Sequence, residues 1–374
     1  MPFFNESFEN KQVKNHHRHT RYVYTLEDCF NRGVPVTSIE FNPPPVSCQE
    51  KQVSTYWRNL ENPDEEDDRV LKSLKTKYRA IHNCIENQVF MSFTDSAAGV
   101  LRMHNLTMLS LLGDPAFCER HMSGNPLKFE PHSTVIHLTR NHSVRWISEF
   151  LNICRNMGFR QILVITGDPL KEVRLKMVTA QQAASLNEDE LRSYRLKNSI
   201  ELLRYIKDQG HDFFLGVGHN PFLKQAVSEK HLKAKLEAGA QFIITQPVAY
   251  YDECWAIMDR FMDFYKGIDC RAPVVIGVFN YSVPCGSKGF REDVFQKRHK
   301  FWKKLFGFVP EGVRQDYERG LNGTEILANS INTMKKKGFY HFDVMNAERK
   351  GLSILKSRQR MTHESDRLAG SFDQ

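Results

Sequence analysis

The sequence predicts an α/β protein built as a closed (β/α)8 barrel, the TIM barrel, with N-terminal and C-terminal extensions. Three observations predict it. Apolar runs of strand length alternate with amphipathic segments of helix length from about residue 36 to 350, the runs number eight, and almost every run ends on a polar side chain. An open doubly wound sheet shares the alternation, but no GxGxxG follows the first strand, which disfavours its dinucleotide-binding form. The barrel therefore occupies residues 35–350, between a polar, basic extension at 1–34 and a tail at 351–374.

The strands are read at VTSIEFN (from Val36), QVFMSFTD (Gln88), STVIHLT (Ser133), ILVITGD (Ile162), DFFLGVGH (Asp212), QFIITQPV (Gln241), PVVIGVFNY (Pro273) and FYHFDVMN (Phe339). Between them, Ser143 is placed to cap a helix that carries Trp146, Ile147, Phe150, Leu151 and Cys154 on one face and stops at Gly158. Asn187 and Glu190 have capping-box spacing ahead of Leu191, Tyr194, Leu203 and Ile206. Ser228–Gly239, Asp252–Gly267 and Thr324–Gly338 repeat the sequence of cap, apolar stripe and glycine.

Composition narrows the class of protein. The chain of 374 residues is 41% hydrophobic and 26% charged, a soluble globular balance. No apolar run reaches the roughly 18 residues of a membrane span, and the first residues lack the regions of a signal peptide, so a cytoplasmic protein without a membrane partner is expected. Eight dispersed cysteines without a CxxC spacing read as reduced structural thiols, and no bound metal is expected. The histidine-rich stretch His16, His17, Arg18, His19, Arg21 reads as an exposed basic arm rather than a metal site. A formal net charge of +8 favours anionic partners, yet the interleaved aromatic and basic residues of a nucleic-acid platform are missing, and nucleic acid is not an expected partner.

In a barrel the chemistry gathers at the carboxyl ends of the strands. There the chain places Glu40, Thr94 with Asp95, His137, Thr166 with Asp168, His219, Gln246, Asn280 and Asn346. Alternation along the first strand puts Ile39 and Phe41 on one face and Glu40 on the other. If the first two pack on the helices, Glu40 points into the barrel mouth, where apolar neighbours raise a carboxyl pKa and suit it to general acid catalysis. By alternation Thr166 and Asp168 point together, as do Ile244 and Gln246. A carboxylate and a primary amide facing one cavity suit a flat heterocycle with donors and acceptors along its edge. Any one of these side chains is equally well a strand end bonded to nearby backbone. Together they favour a site.

The motifs SIEFNPPP (38–45), HLTRNHS (137–143), VITGDP (164–169), AGAQFIITQ (238–246) and FDVMNAER (342–349) resemble, in order and spacing, those of the methylenetetrahydrofolate reductase family. The resemblance spans about residues 36–350. It implies a (β/α)8 barrel in which FAD carries a hydride from NAD(P)H to the methylene carbon of methylenetetrahydrofolate. Carried over by motif, Glu40 matches the acid that protonates the folate and opens the bridge to an iminium. Asp168 matches the carboxylate that binds the pterin and tunes the flavin, and Gln246 the pterin-binding amide. Thr94 matches a threonine near the flavin and His137 a residue lining the cofactor pocket. Asn346 is expected on the substrate side, Thr166 and His219 on the cofactor side.

The flavin-side segments depart from the family pattern. GVGHNPF keeps only His219 and Pro221 of a Tyr-Pro-Glu-x-His stretch, Arg140 replaces the cysteine of HLTC, an aspartate is lost at about Asn198, and the flavin-side phenylalanine has only Phe290 as a counterpart. Three functions therefore stay open: a reductase interconverting methylene- and methyltetrahydrofolate, a flavin-independent tetrahydrofolate-dependent methyltransferase or demethylase working with a methyl-carrier protein, and a non-catalytic folate-binding subunit. A homo-oligomer is compatible with each.

Overall fold

The computed structural model describes residues 24–45, 65–95, 102–167, 196–268, 272–281, 292–306 and 308–346. Eight parallel strands close into a barrel in sequence order: β1 (Thr37–Phe41), β2 (Phe90–Phe93), β3 (Thr134–Thr139), β4 (Gln161–Ile165), β5 (Phe214–His219), β6 (Phe242–Thr245), β7 (Val274–Phe279) and β8 (Phe342–Met345). The ring is shut by β8 against β1, with Ser38 opposite Asp343. Each predicted strand is present, at the predicted place.

The described helices include α1 (Leu26–Asn31), which precedes the first strand, and, between and around the strands, α2 (Glu65–Glu86), α3 (Asn105–Gly113), α4 (Val144–Asn156), α5 (Ser199–Asp208), α6 (Gln225–Glu237), α7 (Asp252–Lys266), α8 (Glu292–Phe306), α9 (Gly312–Glu318) and α10 (Gly323–Lys336). No described helix is long and apolar enough to cross a membrane. Strand alternation divides the apolar residues into two clusters. Ile39, Phe41, Met91, Phe93, Ile136, Leu138, Ile162 and Val164 face outward and pack with helix residues such as Leu74, Ile147, Leu151 and Leu202. Val36, Phe90, Val135, Leu163, Phe214, Phe242 and Val275 face inward and pack with Leu26 and Cys29 of α1.

That second cluster gives α1 its place. Thr25 and Asp28 form a capping box, so a six-residue helix that would not persist alone is started by its own side chains and completed by packing. Phe30 lies 6.1 Å, centroid to centroid, from both Phe214 and Phe242 and meets His341 edge-on. The sequence-based boundary at residue 34 assigns this helix to the extension, whereas the structure packs it with the inward strand faces at the end opposite the mouth. The histidine-rich arm lies outside the described residues.

Some helix starts differ from expectation. Leu203 and Ile206 belong to α5, which begins at Ser199 because Asn198 accepts from Ile200 N and Glu201 N; the capping box at Asn187 lies outside the described residues. Helix α6 starts at Gln225, a turn before the expected cap Ser228, whose hydroxyl instead meets the His219 ring and donates to Asn220 O. Ser143 caps α4 as expected, whereas α10 is capped by Asn322, with Glu325 completing the capping box, two residues before the expected Thr324. All the described cysteines, Cys29, Cys84, Cys118, Cys154 and Cys254, are free and buried.

Candidate functional site at the barrel mouth

With Ile39 and Phe41 committed to the outer layer, Glu40 takes the inward face at the end of β1, half-buried. A chain of hydrogen bonds leads to it. Thr94 Oγ1 donates to Asn42 Oδ1 at 3.0 Å, and Asn42 Nδ2 reaches Glu40 Oε1 at 3.5 Å. Asn42 thus turns the carboxylate and links the ends of β1 and β2. The proline-rich loop that follows is held by Arg102, which donates to Pro43 O at 2.8 Å, and by Met103 N bonded to Pro44 O.

His137 shares the inward face of β3 with Val135 and Thr139, and both of its ring nitrogens are buried without a hydrogen-bond partner among the described residues. Burial pushes its pKa down to about 4, so the ring is neutral at physiological pH. On the inward face of β5, Gly218 has nothing among the described residues within 4 Å of where a Cβ would sit. An unpartnered imidazole and an open space on inward strand faces provide the edge and the room that a heterocycle needs. Gln246, just past β6, follows the inward face of Phe242 and Ile244 and is half-buried; its backbone N–H donates to His219 O. Glu40, Thr94, His137 and Gln246 are thus brought to one end of the barrel on four strands.

The other predicted residues are placed differently. Thr166 faces the helices, since its hydroxyl meets Ser199 Oγ at 3.0 Å at the start of α5. His219 also faces outward, 3.1 Å from Ser228 Oγ and stacked on Phe261, with its pKa pushed down to about 3 by burial, then by Lys235 and His231. The inward parity of β4 and β5 belongs instead to Leu163, Ile165, Phe214 and Gly218. Asn346 is exposed, adopts a left-handed φ of 58° and donates to Asn280 O at 2.7 Å, which ties β8 to β7. Asp168 lies outside the described residues. The turn leading to it is constrained: Gly167 has φ 76°, and a Cβ there would lie 2.5 Å from Asn141 Nδ2.

Several further polar groups were assigned no role from the sequence. Asp343, fully buried inside the barrel, accepts from Ser38 Oγ and Ser92 Oγ through Oδ1, while Oδ2 has no partner among the described residues. Burial pushes its pKa up to about 6, against the two serine hydrogen bonds. Lys235 of α6 reaches back to Gly218 O at 2.6 Å, and burial brings its pKa down to about 8. Asp95 accepts from Thr139 N, Thr139 Oγ1 and His142 Nε2 through Oδ2. Asp343 was hidden because it lies mid-strand in FDVMN, where alternation alone does not distinguish a barrel interior from a helix-facing layer.

Fold and mouth together define a TIM-barrel protein whose inward polar side chains collect at the carboxyl ends of its strands. The chain belongs to the methylenetetrahydrofolate reductase family: the family model described as methylenetetrahydrofolate reductase matches residues 130–359. "Methylenetetrahydrofolate reductase 1" of Schizosaccharomyces pombe is 34% identical over 237 residues, covering 58% of this chain and 34% of that protein. The chain thus spans about a third of that relative's length. The carboxyl transferase domain of Rhizobium etli pyruvate carboxylase, solved with 3-bromopyruvate, is similar over 80% of this chain and 48% of its own at 13% identity, with a TM-score of 0.30. The family match begins after β2, so Glu40 and Thr94 rest on their motifs and on geometry.

The family implies FAD, and the described residues fit it only in part. His137 offers unpartnered nitrogens toward the interior, but Thr166 and His219 are engaged with α5 and α6.

Proposed function

We propose that the chain is a folate one-carbon enzyme that interconverts methylene- and methyltetrahydrofolate at the mouth of its barrel. The observation that carries this reading is the convergence of Glu40, held through Asn42 and Thr94, with Gln246 and the unpartnered His137 at one barrel end of a family member. Gln246 offers an amide donor and acceptor to the pterin edge, and Asp168, by its motif, a carboxylate. Glu40 delivers its proton to the folate nitrogen that leaves the methylene bridge, so that the C–N bond breaks and the remaining nitrogen forms the iminium. A reduced flavin supplies the hydride when one is bound, with NAD(P)H as its source. The free, buried thiols fit a cytoplasmic setting.

The outward turn of Thr166 and His219 favours a second reading. The same pterin site then serves a flavin-independent methyl transfer, with Glu40 exchanging a proton at the folate nitrogen that gains or loses the methyl group.

The absorption spectrum of the purified chain, with and without added FAD, separates the two when combined with nicotinamide oxidation in the presence of methylenetetrahydrofolate. A yellow protein that oxidises NAD(P)H supports the reductase. A colourless protein that cannot be reconstituted, yet exchanges methyl groups with tetrahydrofolate, replaces it with the transferase. Glu40→Gln lowers turnover by about 10²–10⁴-fold in either case and spares folate affinity; unchanged turnover removes both and leaves a binding subunit.

A further inference from the structure

We infer that Asp95, His104 and His142 form a binding site for a divalent transition-metal ion at the carboxyl ends of β2 and β3. One ligand atom from each of the three lies within 4.8 Å of the others. His142 Nε2 and Asp95 Oδ2 are 2.8 Å apart and joined by a hydrogen bond, and an ion takes the place of that hydrogen. Metal bonds of about 2.0–2.1 Å to nitrogen and oxygen set tetrahedral ligand atoms roughly 3.3 Å apart, so modest side-chain movement closes the site.

A second observation points to a ligand. His104 Nε2 is buried and has no hydrogen-bond partner among the described residues, a state that coordination resolves. The surroundings also hold the three groups in place. Asp95 Oδ2 is fixed by Thr139 N at 3.0 Å and Thr139 Oγ1 at 2.8 Å. The His142 ring stacks on Trp146 at 3.8 Å, and His104 meets Trp146 and Phe150 edge-on at 4.7 and 5.3 Å. Asn105, fully buried, donates to the carbonyls of Phe93 and His137, which sets His104 above the junction of β2 and β3. Outer contacts of this kind orient metal ligands and strengthen them.

The chemistry of the donors narrows the ion. Two imidazoles and one carboxylate suit zinc, cobalt(II) or iron(II) rather than magnesium or calcium, and three protein ligands leave a position for water or for an atom of a bound molecule. Neither the cysteine spacing nor any short motif signals the site, because its residues come from three separate segments. The inference does not depend on the folate reading.

The test uses the full chain, stripped with EDTA and titrated with Co²⁺ and Zn²⁺, read by visible absorption of cobalt and by calorimetry, with circular dichroism as the check of folding. One ion per chain is expected. His104→Gln and His142→Gln each weaken binding by about 100-fold or more, and Thr139→Val, which removes the hydroxyl bonded to Asp95, by about 10–100-fold. Replacing His16, His17 and His19 with alanine leaves binding unchanged. A folded chain that takes up neither ion overturns the proposal, as does binding that survives in His104→Gln and Thr139→Val but disappears with the three N-terminal histidines.

Discussion

At the scale of single residues, the consequential side chains are those that orient a carboxylate or hold one buried. Asn42 is placed to orient Glu40, with Thr94 behind it. Asn42→Ala is therefore expected to lower kcat about tenfold or more while leaving folate affinity within a factor of two or three, because the carboxylate loses its orientation but not its charge. Steady-state kinetics with direct binding measurements check this. Asp343 is a different case. Its folded pKa of about 6 lies above the ordinary 3.8, so the native state holds the proton more tightly than the unfolded chain does. This group's contribution is fully present below pH 4 and is lost as pH rises through about 6, an effect of order 3 kcal/mol. The melting temperature of Asp343→Asn relative to the native sequence should accordingly rise between pH 4 and 6 and then level off; a difference independent of pH contradicts the assignment.

At the scale of elements, strands were more legible than helices. An inward or outward strand face is written in alternation, and Ile39, Glu40 and Phe41 were read from that pattern alone. The pattern was less informative for β4 and β5, which are buried on both faces, and there Thr166 and His219 turned toward the helices. Helix starts depend on whether a hydroxyl is free to cap. Ser143 is free; Ser228 is engaged with His219 and Asn220. The helix α1 was missed as part of the barrel because six residues in a polar extension show no period, and only packing with Val36, Phe214 and Phe242 reveals its role. Leu26 is buried in that cluster, so Leu26→Ala should cost about 2–5 kcal/mol in denaturant unfolding. A loss below about 0.5 kcal/mol would show that the helix is dispensable.

At the scale of the whole molecule, burial on both sides of the barrel wall keeps His137 and His219 neutral, and this sets its response to acid. His137 and His219 titrate near 4 and 3 in the native state and near 6.5 when unfolded. Below pH 6.5 the unfolded chain binds more protons, so stability falls with pH from 6.5 toward 3. At pH 5 the loss is about 2 kcal/mol for each histidine, enough to outweigh the opposite trend of Asp343. Chemical denaturation at pH 5 and pH 7 should show a lower midpoint at pH 5, and equal midpoints would contradict it. The strand-end placement of Glu40, Thr94 and Gln246 was legible from their motifs. Placement was illegible where residues distant in sequence meet in space, as at Asp95, His104 and His142. The central claim is that this mouth receives a reduced folate, and calorimetric titration of the full chain with methyltetrahydrofolate tests it most directly. Saturable binding at one site, weakened about tenfold or more by Gln246→Ala, is the predicted result; a folded chain that binds no reduced folate would contradict the account.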